Sequence, residues 1–403
     1  MTERKTWRDL KEILPKEYFA ERVERSRKER PEVCLIVIRE VVDPVLARSS
    51  DPERAELHIT RTSDNKEVVR ARINGEKFTS AERLTGLNLC RLLNNTEEKS
   101  WSIISPKYLY NEIAGGLADG INPDTVTYGA AGVESGDTFS IKSRVIEGYT
   151  STLEPYNLLN KEQHNALYET GTMIKVGGED DPAEEHGRGF YTHVNIEPPA
   201  KMVHFVRIES PTMEMFLYVL HNILNTTTYF ARSTRKGSIR NSVAGVIFSH
   251  AAIGLSSGEL IKEQFNTETP KNEYSLTEVL TKLKQYVDNH KNDLWKIGWN
   301  DNLTSVDKKS ESAQQFQEEK PNTQDKNEQK NTPASKIDEL DFTTTISPFV
   351  EVALIKNNQG RIILRECLAE LTTQSKKSYV KTEKPKEKSP KTKGKEPNKE
   401  TPA

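Results

Sequence analysis

The segment from Thr226 to Asn241, TTTYFARSTRKGSIRN, contains four cationic side chains, two aromatic rings and six serine or threonine hydroxyls, but no acid. The acid-free interval is longer still, because no aspartate or glutamate occurs between Glu214 and Glu259. Arginine and lysine neutralise phosphates, small hydroxyls donate to phosphate and ribose oxygens, and aromatic rings stack on bases. The segment is therefore predicted to bind single-stranded nucleic acid, although its residue types do not distinguish RNA from DNA.

The same cations have two simpler interpretations. Cationic side chains that follow a helix can satisfy the free carbonyls and the negative dipole at its C-terminus. A run of charge can also be no more than a solvated face of the protein. Both alternatives stay open at the level of sequence.

Regular elements flank this loop. MVHFVRI (202–208) reads as a strand, and Ser210-Pro211 is predicted to open a helix with Ser210 as its N-cap. One apolar stripe at helical spacing follows, formed by Met213, Phe216, Leu217, Leu220, Ile223 and Leu224. VAGVIF (243–248) then reads as a short buried strand. The loop is thus predicted to join a helix to a strand within a β-α-β unit.

Other segments carry clear patterns as well. Residues 7–29 show a helical period, and 32–42 reads as a buried strand. ELHITRTSDNKEVVRARING (56–75) reads as a hairpin that turns at Asp64-Asn65. Residues 81–95 favour a helix. Short strands are expected at 138–146 and 190–196, and a last helix starts at Ser275, which forms a capping box with Glu278.

Composition bounds the class of protein. The chain has 403 residues, 34% of them hydrophobic, a net charge of -2 and three cysteines without CxxC spacing. A disulfide framework is not expected, and no apolar run is long enough to span a membrane. We therefore predict a soluble cytoplasmic protein with disordered parts. The overall charge does not indicate nucleic-acid binding, so that prediction rests on local distribution.

Motifs of enzymes and metal sites are mostly absent. The chain has no GxxxxGK[ST], no GxGxxG and no HExxH. His186, His193 and His204 form a loose group that more simply reads as surface or strand histidines, and the acidic segment 177–185 reads as a solvated turn. HGRGFYTHV (186–194) matches a strand signature of RNA-recognition motifs only in fragment, and an exposed hairpin is the simpler reading. No cofactor or metal is predicted.

At the cationic loop the sequence resembles a known family. TTTYFARSTRKGSIRNSVAGVIFS, NALYETGTM (165–173) and HFVRIESPTMEMFLYVLHNIL (204–224) together resemble the backbone subunit of type I-D CRISPR interference complexes, in the RAMP superfamily. The resemblance implies an α+β fold with an RNA-recognition-motif or ferredoxin-like palm and a large inserted thumb hairpin. It also implies partners: CRISPR guide RNA, target DNA or RNA paired to the guide, copies of the same chain along the guide, and other subunits of the complex.

The palm and thumb of this family allow a predicted division of the chain into segments. In chain order it comprises an N-terminal helical segment (1–30), the first part of the palm (31–104), a loop-rich inserted thumb (105–199), the second part of the palm (200–303), a disordered linker (304–340), a C-terminal strand pair (341–375) and a disordered Lys/Pro-rich tail (376–403). For the C-terminal pair, whose pattern alternates around Asn358-Gln359-Gly360, a strand followed by a helix is the alternative. The linker and tail are assigned from composition, since almost nothing in them can pack.

The resemblance also implies which residues touch RNA. They are Arg232, Ser233, Thr234, Arg235, Lys236 and Arg240 in the loop, and Met173 on the thumb. The residue types of the loop add Gly237, which permits close approach of the backbone, and Tyr229 or Phe230, either of which can stack on a base. Two departures limit the transfer. The family's glycine-rich loop is reduced to Gly237, and 105–199 contains no cysteine, so a zinc role is not carried over.

Three functions are compatible with these observations. The first is a non-catalytic subunit that binds guide RNA without reading its sequence and leaves specificity to guide–target pairing. The second is a guided nuclease that cuts target RNA, for which Asp51 is the candidate, although Ser-Asp-Pro is also an ordinary turn sequence. The third is a generic single-stranded nucleic-acid-binding protein.

Overall fold

The computed structural model describes residues 6–24, 30–48, 55–94, 102–110, 119–132, 139–155, 159–164, 191–231, 237–266, 270–303 and 340–380. For 159–164, and for Tyr191 and Thr192, only the backbone is described. Over these residues the chain is a mixed α+β protein whose sheets are antiparallel.

The described strands are β1 (Glu32–Val41), β2 (Glu56–Arg61), β3 (Glu67–Ile73), β4 (Ala130–Gly132), β5 (Phe139–Ile141), β6 (Val145–Glu147), β7 (Thr150–Ser151), β8 (Leu159–His164), β9 (Tyr191–Ile196), β10 (Lys201–Glu209), β11 (Ile239–Ser249) and β12 (Trp295–Trp299). The described α-helices are α1 (Trp7–Lys11), α2 (Gly75–Leu93), α3 (Pro123–Tyr128), α4 (Met213–Asn225), α5 (Ser257–Leu260), α6 (Leu276–His290), α7 (Phe342–Thr345), α8 (Ser347–Ala353) and α9 (Asn358–Tyr379). A π-helical turn, Ile261–Phe265, continues α5.

The central sheet has five strands in the order β12-β11-β1-β10-β6, with every neighbouring pair antiparallel. β1 lies in its middle because it is apolar on both faces. Val33, Leu35 and Val37 pack on one side, and the alternate residues Cys34, Ile36 and Ile38 pack on the other. A two-residue period with apolar side chains at every position is typical of a strand covered on both faces.

Helices cover both faces of this sheet. α2, α4, α8 and α9 pack on the face of Val33, while α6 and the π-helical turn pack on the face of Cys34. α4 is buried along nearly its whole length, which explains its high apolar content. Neither face of the central sheet is left open for a ligand over the positions that these helices cover.

Most predicted elements are confirmed. The strand at 32–42, the hairpin at 56–75 and the strands at 202–208 and 243–248 are all present, and the last of these begins four residues earlier, at Ile239. The hairpin turns at Asn65, whose φ is 65°. The helix at 81–95 is the C-terminal part of α2, and the strand region 138–146 divides into β5 and β6.

The capping prediction for α4 is wrong, whereas that for α6 is confirmed. Thr212 rather than Ser210 caps α4, with its hydroxyl accepting from the N–H of Met215. Ser210 instead adopts a positive φ of 47° and links β10 to the helix. At α6, Ser275 and Glu278 form the expected reciprocal capping box.

The predicted C-terminal strand pair at 341–375 is wrong, because this segment is helical. Asn357 caps α9 by accepting from the N–H of Gly360, so the Asn-Gln-Gly stretch is a helix start and not a hairpin turn. The buried residues of α9 recur at helical spacing and include Ile363, Leu364, Cys367, Leu368 and Leu371. The helix therefore completes the core over α4.

Three smaller sheets surround the central one: β2-β3-β7, β4-β5 and β8-β9. β9, which contains the end of HGRGFYTHV, pairs with β8 outside the central sheet. This placement contradicts a role as the central RNA-binding strand, and the described residues His193 and Asn195 are buried, so the alternative of a solvent-exposed hairpin is not supported there either. No helix within the described residues is long and apolar enough to cross a membrane.

Candidate nucleic-acid interface

The two ends of the cationic loop, residues 226–231 and 237–241, form a rigid stem. The backbone N–H of Tyr229 donates to the Gly237 carbonyl at 2.9 Å, and that of Ile239 donates to Thr227 at 2.8 Å. The segment after β1 holds the stem from the side: Gly237 N–H donates to Pro44 at 2.9 Å, and Ala231 pairs with Leu46. Backbone hydrogen bonds thus hold both described ends of the loop in place.

Several predicted site residues lie outside the described residues, namely Arg232, Ser233, Thr234, Arg235, Lys236, Met173 and the nuclease candidate Asp51. His186 and the acidic segment 177–185 lie outside them as well. Their roles stay predictions. The structure does describe Tyr229, Gly237 and Arg240, and it assigns different surroundings to each.

Tyr229 is fully buried, which contradicts the prediction that it contacts RNA. Its ring packs edge-on against Phe78, with centroids 5.5 Å apart. Its hydroxyl donates to Glu82 at 3.0 Å and accepts from the Asn241 amide at 2.7 Å. Burial, followed by the nearby Glu82 carboxylate, raises the pKa of Tyr229 well above its ordinary value. Tyr229 therefore anchors the stem from inside.

Beneath the stem lies a buried ion pair between Arg39 and Glu82, with 2.7 Å between nitrogen and oxygen. The Arg39 guanidinium also lies 4.2 Å from the ring centroid of Phe78 and donates to Nδ1 of His204 at 3.2 Å. Burial and then Arg39 lower the pKa of His204 to about 3, so this ring is neutral. A buried charge is tolerated when paired and hydrogen-bonded, as Arg39 is here.

A second carboxyl, Glu147, faces the same cluster. Burial and then the charge of Glu82 raise its pKa well above the ordinary range, which keeps it neutral. It accepts from the Thr79 hydroxyl at 2.9 Å. The cluster thus places one arginine, Arg39, beside two buried carboxyls, Glu82 and Glu147.

Gly237 is required by the stem itself. Its φ is 101°, a conformation that L side chains rarely adopt, and a Cβ there would lie 2.4 Å from the Tyr229 carbonyl oxygen. The close backbone approach predicted for this glycine therefore occurs within the protein.

Arg240 is exposed and forms an ion pair with Glu40 of β1 at 3.1 Å. Asp43 also lies beside the stem, since its N–H donates to the Ser238 carbonyl. The stretch is free of acids along the sequence, but Glu40 of β1 and Asp43, which follows β1, lie near it in space. Arg240 therefore contributes less free positive charge than the sequence indicates.

The helix-capping interpretation of the loop cations finds no support at the end of α4. Asn241 Nδ2 donates to the carbonyls of Ile223 and Thr226 at 2.8 and 2.9 Å. The Asn222 carbonyl accepts from both the N–H and the hydroxyl of Thr226. Polar side chains of the stem thus satisfy these carbonyls, which leaves them with little need of a cation.

A groove of about 590 Å³ lies beside the stem. We call it the α2 groove. The outer face of α2 forms one wall and the stem forms the other, and the lining consists of Arg48, Lys77, Ser80, Ala81, Leu84, Thr85, Asn88, Asn225, Thr226, Thr227, Thr228, Phe230 and Ala231. Among the described residues, the lining contains two cations, several hydroxyls and amides and no carboxylate. This composition suits a phosphate chain.

The α2 wall carries no distinctive sequence signal, because its polar residues are spaced like those of any solvated helix face. Lys77, Ser80, Leu84 and Asn88 lie three or four residues apart, so they share one face of the helix. Glu82 lies between them in sequence but points to the core and pairs with Arg39. Glu82 is therefore absent from the lining of the groove only because its side chain points inward.

Phe230 is the aromatic residue that reaches the groove. It is partly buried against Phe78, with ring centroids 5.0 Å apart, and its φ is 68°. A bulky residue rarely adopts a positive φ, and such strain persists only where the surroundings impose it. The backbone hydrogen bonds of Tyr229 and Ala231 impose it here. The fold therefore holds this ring at the groove at a conformational cost.

Arg48 adds a second sign of a ligand. Its Nε is buried and has no hydrogen-bond partner among the residues that the structure describes. A buried donor without a partner costs free energy. An anionic oxygen in the α2 groove would satisfy it.

No cluster of three or more metal-ligating side chains occurs within the described residues. His204, one of the three grouped histidines, instead contacts Arg39 and the Gly148 carbonyl, at 3.2 and 3.1 Å. The interface described so far is built from cations, hydroxyls, amides and one aromatic ring.

Comparison with known proteins places these features in context. A family model described as Csc2 Crispr matches residues 18–353. The crystal structure of Thermofilum pendens Csc2 is similar, with 18% identity, a TM-score of 0.48, and coverage of 68% of this chain and 81% of that one. A CRISPR RNA-guided surveillance complex in a pre-nicking state gives 9% identity, a TM-score of 0.42, and coverage of 67% and 92%. A type IV-B CRISPR complex gives 13%, 0.32, 60% and 96%. No curated protein sequence matches.

Proposed function

The chain belongs to the Csc2 family of CRISPR proteins, and from this premise we propose that it is a structural subunit that binds guide RNA. In this proposal the α2 groove and the cationic loop hold the phosphate backbone of the guide. The subunit repeats along the guide in a type I-D interference complex and presents the bases for pairing with target DNA or RNA. It contacts other copies of itself and the other subunits of the complex.

The palm assignment is part of the proposal. Its support is the order β1, α2, β6, β10, α4, β11 along the chain, which is the strand-helix-strand-strand-helix-strand pattern of ferredoxin-like folds. Within the sheet these strands are arranged β11-β1-β10-β6, and both helices pack on the same face. β6 lies within residues 105–199, so the thumb would consist of the parts of that range on either side of β6, inserted between the palm parts 31–104 and 200–303.

The single observation that carries the proposal is the composition of the α2 groove. It combines Arg48, Lys77 and the exposed part of Phe230 with hydroxyls and amides, and none of the described lining residues is a carboxylate. The predicted cations Arg232, Arg235 and Lys236 belong to the loop that borders it. In many RNA-recognition motifs RNA lies across the strands of the sheet. Helices cover both faces of the central sheet here, so RNA would bind at the α2 groove instead.

The same composition supports binding without sequence selection. Guanidinium, ammonium and hydroxyl groups bind phosphate and ribose, which are common to all nucleotides. A stacked ring accepts any base, since every base has a π face. Specificity would then come from pairing between guide and target. Target cleavage at Asp51 stays the alternative, and no described residue favours it.

The test removes the two groove cations that the structure describes. Arg48→Ala combined with Lys77→Ala should weaken RNA binding equally for unrelated sequences. It should also lower the slope of log affinity against log salt by about 1.4, from about 0.7 per phosphate contact. Both quantities can be measured by fluorescence anisotropy of a labelled guide-length RNA at several salt concentrations.

A matched control removes one arginine and one lysine far from the groove. Arg22 borders Pro31 and Ser210, and Lys142 lies 3.8 Å from Glu209. Both therefore sit at the start of β1, about 30 Å from its other end. The control pair Arg22→Ala and Lys142→Ala should leave the slope nearly unchanged. Equal effects from the two double variants would reject the α2 groove as the RNA site.

A further inference from the structure

A second groove has a volume of about 340 Å³, and one of its lining residues, His204, packs against Phe78 of α2 with ring centroids 5.4 Å apart. We call it the β10 groove. Phe205 and Arg207 of β10 line it, and they lie on the face of the central sheet that α6 covers, since Phe205 packs with Tyr286 at 6.1 Å. His58, Arg72, Tyr149 and Ser151 form the other wall. The α2 groove has no lining residue in common with it.

An exposed aromatic ring stands at this groove with a cation over it. Tyr149 is 50% exposed, and the Arg72 guanidinium lies 4.8 Å from its ring centroid. Glu56 fixes that guanidinium through two contacts of 3.0 and 3.2 Å with Nη2 and Nε. A half-exposed tyrosine contributes little to the core. Together with a fixed, planar cation it makes a platform for a flat π system such as a nucleobase.

A second cation lies across the groove. Arg207 is held by a hydrogen bond from Nη1 to the Ile253 carbonyl at 2.9 Å and by Glu32 at 3.8 Å. Neither Glu32 nor Glu56 lines the groove, and no other carboxylate of the part of the chain that the structure describes lines it. The two arginines, Arg72 and Arg207, therefore line the groove, whereas the glutamates that pair with them do not.

Polar groups and open backbone complete the site. Nδ1 of His58 lies 3.0 Å from the Ser151 hydroxyl, so the ring is held and its other nitrogen is free to donate to or accept from a base edge. Burial, and then Arg72 and Arg70, lower the pKa of His58, which keeps the ring neutral near pH 7. Gly148 has no atom within 4 Å of the position of a Cβ, which leaves room for close approach of a ligand.

We propose that the β10 groove binds one nucleotide unit, with its base stacked on Tyr149 and Arg72 and its phosphate at Arg207. The unit belongs either to a second nucleic-acid strand or to a free mononucleotide, because both present the same base and phosphate. The site does not depend on guide binding in the α2 groove. It would give the protein a second contact with nucleic acid on the other face of its sheet.

The experiment uses the full-length protein saturated with unlabelled guide-length RNA. A labelled five-nucleotide RNA or DNA is then titrated, followed by uridine monophosphate as a competitor. The proposal expects a second binding event that Tyr149→Ala weakens about tenfold and Tyr149→Phe preserves, because the ring provides the stacking surface. Arg72→Lys keeps the charge beside Glu56 but loses the planar group, and it should weaken binding several-fold.

Each outcome decides the matter. Competition by the mononucleotide at concentrations similar to those of the oligonucleotide identifies a free nucleotide as the ligand, and much weaker competition identifies a strand. Absence of binding by both ligands to the loaded wild-type protein overturns the proposal. It is also overturned if Tyr149→Ala and Tyr149→Phe bind alike while thermal melting shows both to be folded. Loss of guide binding by the Arg48/Lys77 double variant would leave these results unaffected.

Discussion

Tyr229 and Phe230 are adjacent in sequence but have opposite roles in the structure, and single substitutions can separate them. Tyr229→Phe removes only a hydroxyl, which donates to Glu82 at 3.0 Å and accepts from Asn241 at 2.7 Å and from Arg39 at 3.3 Å. A net buried hydrogen bond is worth about 1 kcal/mol, and more when one partner is charged. Glu82 and Asn241 keep their other partners.

The expected cost of Tyr229→Phe is therefore about 2 kcal/mol of unfolding free energy, or about 3 °C in melting temperature for a chain of this size. RNA affinity at temperatures well below the transition should stay near the wild-type value. Phe230→Ala should show the reverse pattern. The ring is only partly buried, so stability falls modestly, but loss of base stacking should weaken RNA binding about tenfold.

Circular dichroism melts and fluorescence anisotropy on the same protein samples measure both quantities. Phe230→Tyr serves as the control that keeps a ring at the α2 groove, and it should bind RNA like the wild type. The reasoning fails if Tyr229→Phe lowers RNA affinity at an unchanged melting temperature. It fails equally if Phe230→Ala binds RNA as well as Phe230→Tyr does.

Three further predictions concern the loop, a buried carboxyl and the C-terminus. Replacing three loop cations by alanine should lower the salt slope of RNA binding by about 2 without a change in melting temperature, and these cations are Arg232, Arg235 and Lys236. Burial raises the pKa of Glu154 from 4.5 to about 7, although its carboxylate accepts a hydrogen bond from the Lys201 N–H. The protonated side chain therefore stabilises the folded protein fully below pH 4.5, and this contribution is lost as the pH rises through 7. Urea unfolding should show Glu154→Gln gaining up to about 3 kcal/mol over the wild type between pH 4.5 and pH 8, and no gain would contradict the raised pKa. Truncation after Ile355 should abolish cooperative melting because α9 completes the core, whereas truncation after Val380 should leave the melting temperature unchanged.

The sequence could predict elements whose pattern is local. β1 and β10 are short apolar runs, and the start of α6 is marked by the capping-box residues Ser275 and Glu278. Each of these elements can therefore be predicted without knowing which elements pack against it. The end of the chain shows the limit. Asn358-Gln359-Gly360 fits a hairpin turn and a helix start almost equally well, and the distinction depends on whether Leu364 and Leu368 find α4 to pack against. That is tertiary information.

The site was harder to predict than the fold because its chemistry depends on where side chains point. The loop is recognisable from its charge, yet Tyr229 belongs to the core whereas Phe230 is only partly buried and lines the α2 groove, and no sequence pattern distinguishes these two adjacent rings. The outer residues of α2 gave no signal at all, because lysine, serine and asparagine on a helix look like ordinary solvated positions.

A nearly neutral chain can still offer a positive groove if its acids are turned inward. Glu82 shows how this is done: it lies on α2 between groove residues, but its carboxylate is buried against Arg39. The same acid then accepts from Tyr229 and so fixes the loop that carries the remaining cations. Removing the charge with Glu82→Gln would leave Arg39 buried without its counter-charge, so both the stability and the shape of the RNA site should suffer together. The electrostatics of the groove and the rigidity of its loop therefore depend on one buried ion pair.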